Sequence, residues 1–275
     1  MRLAPEHIGE LWWSDLALHT GRYAVFALLT WAVLWVGLKR PLRGRKIRED
    51  NPPAAQMALE FLISMRSVVI FATAAMGMTL LSEAGAYPLS RLARHWGPVW
   101  FWTSLVLMII GHDAYYYWSH RAMHHPRLFQ KFHRRHHRSH NPSPFSAYSF
   151  DLREAALMSS FVILWPLAVP TPWQVVTLFI LHQIARNTLA HAGYELMPAR
   201  ANGRPMFDWL TTTTHHDLHH ASGGSNFGLY FTWWDRWMGT ENPDYYAAFA
   251  RAVRRPLGRR PVLPATPAPA APLRG

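Results

Sequence analysis

The chain has 275 residues, with 28 Lys plus Arg against 16 Asp plus Glu, a formal charge of +12. Half of it is hydrophobic, only 16% is charged, and 14 residues are Trp. It contains no cysteine, which excludes a disulfide framework, a Cys-ligated zinc, a thiol nucleophile and a Cys-ligated iron–sulfur cluster of its own.

The charges fall in short blocks between long apolar runs, the distribution of an integral membrane protein. Residues 23–38 form the first run, with LALHTGR before it as an extension. Residues 57–81 form the second; its core, 67–81, is uncharged, and Arg66 can reach the interface on its aliphatic stem. Residues 98–118 form the third and lead directly into a histidine-rich region. Residues 155–170 and 173–185, divided by Thr171–Pro172, are shorter and read as a hairpin that does not fully cross. The expected fold is therefore all-α: a membrane helical bundle with about four to five embedded helices and a histidine-rich cap. A buried soluble core is the competing reading, and the Trp at the ends of the runs argues against it.

KRPLRGRKIR (Lys39–Arg48) follows the first run and reads as cytoplasmic by the positive-inside rule. Two further crossings and the hairpin then put residues 119–154 and 186–275 on the same side, so the basic loops and the histidines share one face. No charged n-region with a cleavage site is expected to act as a removable signal. Arginine outnumbers lysine 25 to 3, which points to a GC-rich bacterial genome and hence to an inner membrane. The chain divides into N-terminal membrane helices (1–97), a catalytic segment (98–253) and a Pro/Ala/Arg-rich tail (254–275) expected to be disordered.

Fourteen of the 17 histidines lie between His112 and His220. His120 and His124 are spaced i, i+4. His133, His136 and His137 are spaced i, i+3, i+4, and His216, His219 and His220 repeat that pattern. On a helix these offsets put the rings on one face. With His191, three such clusters can converge within a bundle. Imidazole-rich, thiol-free ligation suits Fe, Zn, Cu or Ni. Some ten imidazoles exceed the needs of one ion, so two are expected. For HRRHHRSH alone, a cationic patch on phospholipid or nucleic acid is the competing reading.

HDAYYYWSHRAMHH, FHRRHH, HAGYE and HHDLHH, followed by NFG and WDRWMGT, resemble the fatty acid hydroxylase / sterol desaturase superfamily over about residues 105–242. The resemblance implies a membrane non-haem di-iron oxygenase that uses O2 and two electrons to hydroxylate or desaturate a lipid C–H bond. Carried over motif by motif, the ligands are His120, His124, His133, His136, His137, His191, His216, His219 and His220. Lesser candidates are His112, His125 as a rival to His124, and His215. Many relatives read Phe-His where this chain has Phe150–Asp151, and some place a histidine where it has Glu195. Asp151 and Glu195 are thus candidate oxygen ligands or partners.

Metal-bound imidazoles are fixed by donating the other ring N–H, and Asp113, Asp217 and Asp235 are candidates to receive it. Tyr115, Tyr116, Tyr117 and Trp118 suit either an interfacial belt or a lipid entry. The chain carries no flavin or nicotinamide fingerprint. A separate donor, ferredoxin or cytochrome b5-like, is expected to dock on the cytoplasmic face, and no nucleic acid is expected as a partner. The alternatives are a desaturase with the same site, a metal-binding or transport protein without oxygenase activity, and an inactive scaffold.

Overall fold

The computed structural model describes residues 5–254. Apart from Arg254, which ends the last helix, the expected disordered tail lies outside the described residues. Helices are the only extended regular elements among the described residues; the backbone otherwise pairs in three isolated bridges.

α1 (Pro5–Trp31) continues as a π-helical turn, Ala32–Gly37, and so begins well before the apolar run that signals it. α2 spans Ala54–Glu83. The two run antiparallel. Trp12 Nε1 donates to Thr73 Oγ1 at one end, and Tyr23 stacks on Phe61 further along. Tyr23 is fully buried, donates to the Phe145 carbonyl at 2.8 Å and stacks on Tyr148 at 5.0 Å. Burying a ring of this size contributes about 1.5–3 kcal/mol. It ties both helices to the loop that follows the second histidine motif.

The short α3 (Pro88–Ala93) precedes α4 (Gly97–Met123), which runs unbroken from an apolar start into the first histidine motif. Pro126 stops it, since the residue before a proline is pushed out of the α region: His125 sits at ψ 135°. Pro126 then opens α5 (Pro126–Phe132). α6 (Leu152–Ala168) and α7 (Trp173–Ala190) form the expected hairpin. α4 and α6 are antiparallel and close, because Gly111 lies flat against Trp165. α8 (Thr213–Ser222), α9 (Trp233–Trp237) and α10 (Tyr245–Arg254) complete the cap.

Two stretches, His7–Gly37 and Ala54–Glu83, are long and apolar enough to cross a bilayer. α6 and α7, at 17 and 18 residues, are about 26 Å long. Apolar side chains also point outward on α1, α2 and α4: Val25, Leu62, Val99 and Trp102 are all at least 60% exposed. An apolar exterior on several neighbouring helices needs an apolar surrounding.

Candidate metal centre

The site is assembled at the cap end of the helices. Five histidines, His120, His124, His133, His137 and His219, bring their ring nitrogens within 4.8 Å of one another. A second group, His136, His191, His216 and His220, does the same. These are the nine positions the motif resemblance implies, brought into two groups.

Each HxxHH motif feeds both groups. His133 and His137 enter the five-membered group and His136 the other; His216 and His220 enter the four-membered group and His219 the first. The i, i+4 pair of each motif stays together and its middle member crosses over. Only α8 is a full helix here; His136 and His137 lie in a 3-10 turn after α5. Thr212 caps α8 by accepting from the His215 N–H, and Gly223 closes it at φ 66°, a left-handed backbone that costs glycine little.

The ring orientations are the decisive geometry. His120 Nδ1 donates to Phe227 O at 2.9 Å, His191 Nδ1 to Asn187 O at 2.8 Å and His219 Nδ1 to Ser225 O at 2.7 Å. A carbonyl only accepts, so in each neutral ring the proton sits on Nδ1 and Nε2 carries a lone pair. Those Nε2 atoms point at other Nε2 atoms. His120 faces His133 at 2.9 Å, His219 faces His137 at 3.0 Å, and His191 faces His216 at 3.1 Å and His136 at 3.4 Å. Three fixed Nε2 lone pairs thus face further imidazole nitrogens at 2.9–3.4 Å, an arrangement that a shared cation would satisfy. Burial and neighbouring imidazoles hold His133, His136, His216, His219 and His220 well below the usual histidine range and lower His137 to about 3, while burial, opposed by the bond to Asn187 O, lowers His191 to about 4. The rings are therefore neutral at pH 7, the form that ligates metal. The donor set, all nitrogen and without thiolate, fits iron as it fits zinc, copper or nickel.

One partner escaped the sequence reading. Glu154, buried at the start of α6, meets His133 Nδ1 with Oε1 at 2.7 Å. It lies 21 residues away in the chain, and no spacing rule would have found it.

The lesser candidates fall elsewhere. His112, on α4 about 12 Å before His120 along the axis, packs between Phe161 and Phe179 and joins neither group. His125 is exposed and accepts from the Arg127 N–H, capping α5, so His124 is the member of that pair in the site. His215 lies against Tyr245 and 3.7 Å from Asp235. Glu195 spends its carboxylate on the backbone N–H of Met197 and of Thr214, where it holds the start of α8. Asp151 accepts from the Arg135 N–H.

The carboxylates expected behind the rings also do other work. Asp113 accepts from the N–H of Tyr230 and of Phe231, and Asp217 pairs with Arg48 at 2.8 Å. Asp235 acts one step removed: it accepts from the N–H of Phe227 and Gly228, fixing the carbonyl that holds His120. A Cβ at Gly228 would meet Phe231 O at 2.6 Å and Asp235 Oδ2 at 2.9 Å, so only glycine fits the loop.

A cavity of about 300 Å³ runs between α1, α2, α4, α6 and α7. Tyr116 and Phe150 belong to its wall. The Tyr116 ring lies 5.1 Å from His120, and the Phe150 ring 5.2 Å from His136. One wall residue thus touches each histidine group. Of the other tyrosines in the run, Tyr115 bonds Leu157 O and Tyr117 stacks on Trp234; neither lines the cavity.

With this geometry the comparisons with known proteins agree. Residues 105–240 match the fatty acid hydroxylase family. The chain belongs to the fatty acid hydroxylase / sterol desaturase superfamily. It is 26% identical over 259 residues to methylsterol monooxygenase 1 of Rattus norvegicus, covering 90% of this chain and 82% of that one. It is 27% identical over 187 residues to lathosterol oxidase of Homo sapiens, covering 67% of this chain and 58% of the relative. To the Delta(7)-sterol 5(6)-desaturase ERG3B of Gibberella zeae it is 30% identical over 149 residues, 53% of this chain and 43% of that one. It thus spans about half the length of these last two relatives. No solved structure matches.

Proposed function

We propose that this protein is a membrane-bound, O2-dependent non-haem di-iron oxygenase that hydroxylates or desaturates an unactivated C–H bond of a lipid. One observation carries the reading: two buried groups of converging Nε2 atoms stand behind the end wall of a mainly apolar cavity, each in ring contact with a wall residue. A metal transporter would place its ligands near the midplane of its spans; here they sit in the cap beyond the apolar runs.

His120, His124, His133, His137 and His219 would hold one iron, and His136, His191, His216 and His220 the other. Bound iron supplies the activation of O2 that no side chain can perform. The chain's own residues do the rest. The carbonyls of Phe227, Asn187 and Ser225 and the carboxylate of Glu154 fix the ring planes. Tyr116 and Phe150 bring an apolar substrate up to the histidines while the packed aromatic wall keeps water out.

The lipid enters from the bilayer between the helices, four or five of which are embedded: α1, α2, α4 and the α6–α7 hairpin. The catalytic segment is 98–253, behind the N-terminal helices of 1–97. The cap faces the cytoplasm of a bacterium. Electrons arrive from a separate ferredoxin or cytochrome b5-like donor. Arg127, Lys131, Arg134 and Arg138 are exposed beside the cap histidines, and such a surface steers an acidic partner.

Purified protein is expected to carry two iron ions per chain. Lipid profiles of cells with and without the gene identify the chemistry: a gain of one oxygen marks a hydroxylase and a loss of two hydrogens a desaturase. Metal flux in liposomes without O2 consumption would instead establish transport.

A further inference from the structure

The WDRWMGT motif supplies no ligand to either histidine group. Its rings instead join a longer strip. Trp209 stacks on Phe231 at 5.7 Å, Phe231 on Trp233 at 4.2 Å and Trp233 on Trp237 at 6.2 Å. Trp237 meets Trp234 edge-on at 5.4 Å, and Trp234 meets Trp118 at 5.7 Å. Rings from α4, from α9 and from the loops before α8 and α9 thus form one ribbon. Trp118, Trp209 and Trp237 are exposed, the last by 65%, and so are Met206, Phe207 and Met238 beside them in the chain.

Three observations say what covers this ribbon. The first is where it begins. Trp102, Val106, Ile110 and Trp118 are exposed at multiples of four residues along α4, so the ribbon continues the outward apolar surface of that helix. The second is the hydrogen bonding of the indoles. Trp12, Trp35, Trp100 and Trp165 each donate Nε1–H to a protein oxygen. Among the described residues the five indoles of the ribbon donate to none, which leaves their N–H groups to an acceptor outside the protein. Water would answer the N–H but not the ring faces. The headgroup and ester layer of a bilayer answers both. The third is charge. Arg200 and Arg204 are exposed in the loop that leads into Met206, Phe207 and Trp209, and cations beside apolar anchors suit anionic headgroups. The opposite character is found on α5. Arg127, Gln130, Lys131 and Arg134 are exposed on or next to it, and among the described residues Leu128 is its one exposed large apolar side chain.

We propose that the cap lies down on the membrane through this ribbon. Loop 206–209 and α9 are seated in the headgroup layer, the occupant of the surface is the lipid bilayer itself, and the α5 face is left to water. This rests on the reading of α4 as a membrane helix and is independent of which metal the histidines hold.

The chain contains no cysteine, so single fluorescent labels can be attached to Phe207→Cys, Trp237→Cys, Val106→Cys and Lys131→Cys without removing any native thiol. The full-length, iron-loaded protein is placed in nanodiscs of phosphatidylcholine and phosphatidylglycerol. Quenching by aqueous iodide is compared with quenching by spin-labelled lipid. Labels at positions 207 and 237 are expected to be quenched by the lipid, and several-fold less by iodide than the label at position 131. Iodide access at 207 and 237 equal to that at 131, with the label at 106 still quenched by lipid, overturns the proposal. Protection of 207 and 237 from both quenchers also overturns it, by placing a protein on the ribbon. If the label at 106 is open to iodide as well, the membrane reading of α4 fails and the proposal falls with it. Met238→Cys, at a neighbouring exposed position, gives the same measurement if removal of the Trp237 indole prevents folding.

Discussion

The two histidine groups are built from the same motifs but held to different degrees. In the five-membered group, three rings have a fixed Nδ1 partner: Phe227 O for His120, Glu154 for His133 and Ser225 O for His219. In the four-membered group, among the described residues, His191 alone has such a bond to the protein, to Asn187 O, and the Nδ1 atoms of His136 and His220 are buried without one. More ligands and more anchors give one group a preformed shape. The other group has fewer candidate ligands and fewer ring planes set by a hydrogen bond; if both hold metal as proposed, it is the one expected to release its ion more readily.

That contrast can be broken most directly by removing ligands. His120→Ala and His191→Ala are each expected to lose about one of two irons together with activity, read by metal analysis; loss of both irons from either variant would mean the groups act as one site. A chelator is expected to strip iron in two phases, the faster from the four-membered group, and His191→Ala should abolish that phase. Next in size, Glu154→Gln should weaken iron binding on the order of 10–100-fold at the slower phase alone. In the helical region, Gly111→Ala should destabilise the protein by about 1–3 kcal/mol without altering iron per folded chain, because an added Cβ would meet Trp165 Cζ3 at 2.2 Å; a denaturation midpoint in detergent checks it. The smallest effect is expected at His125→Ala, about 0.5 kcal/mol, the low end for a lost helix cap, and with both irons kept, since its ring only caps α5.

Much of this site was legible in the linear chain. An i, i+4 spacing on a helix is a local property, so the pair His216/His220 follows from α8. His133 and His137 meet across the end of α5 and a 3-10 turn, and the crossing of His136 and His219 to the opposite groups is not given by helical spacing, which puts all three rings of a motif on one face. The α6–α7 hairpin was marked by Thr171–Pro172, and most of α2 (Ala54–Glu83) by the apolar run 57–81. The limits of α1 were less clear, because its first turns carry Glu10, Asp15 and Arg22 and do not read as apolar.

What the sequence determined by itself is the kind of chemistry: nitrogen ligands, no thiols, apolar helices around them. Tertiary structure decided which histidine joins which group, that Glu154 rather than Asp113 or Asp217 meets a ring, that Glu195 and Asp151 serve the backbone, and that His112 faces a cavity. The reason is physical. Spacing along a helix fixes which side chains share a face, but a hydrogen-bond partner or a cavity wall is supplied by segments brought together only when the chain packs, and nothing in local periodicity encodes which segment arrives.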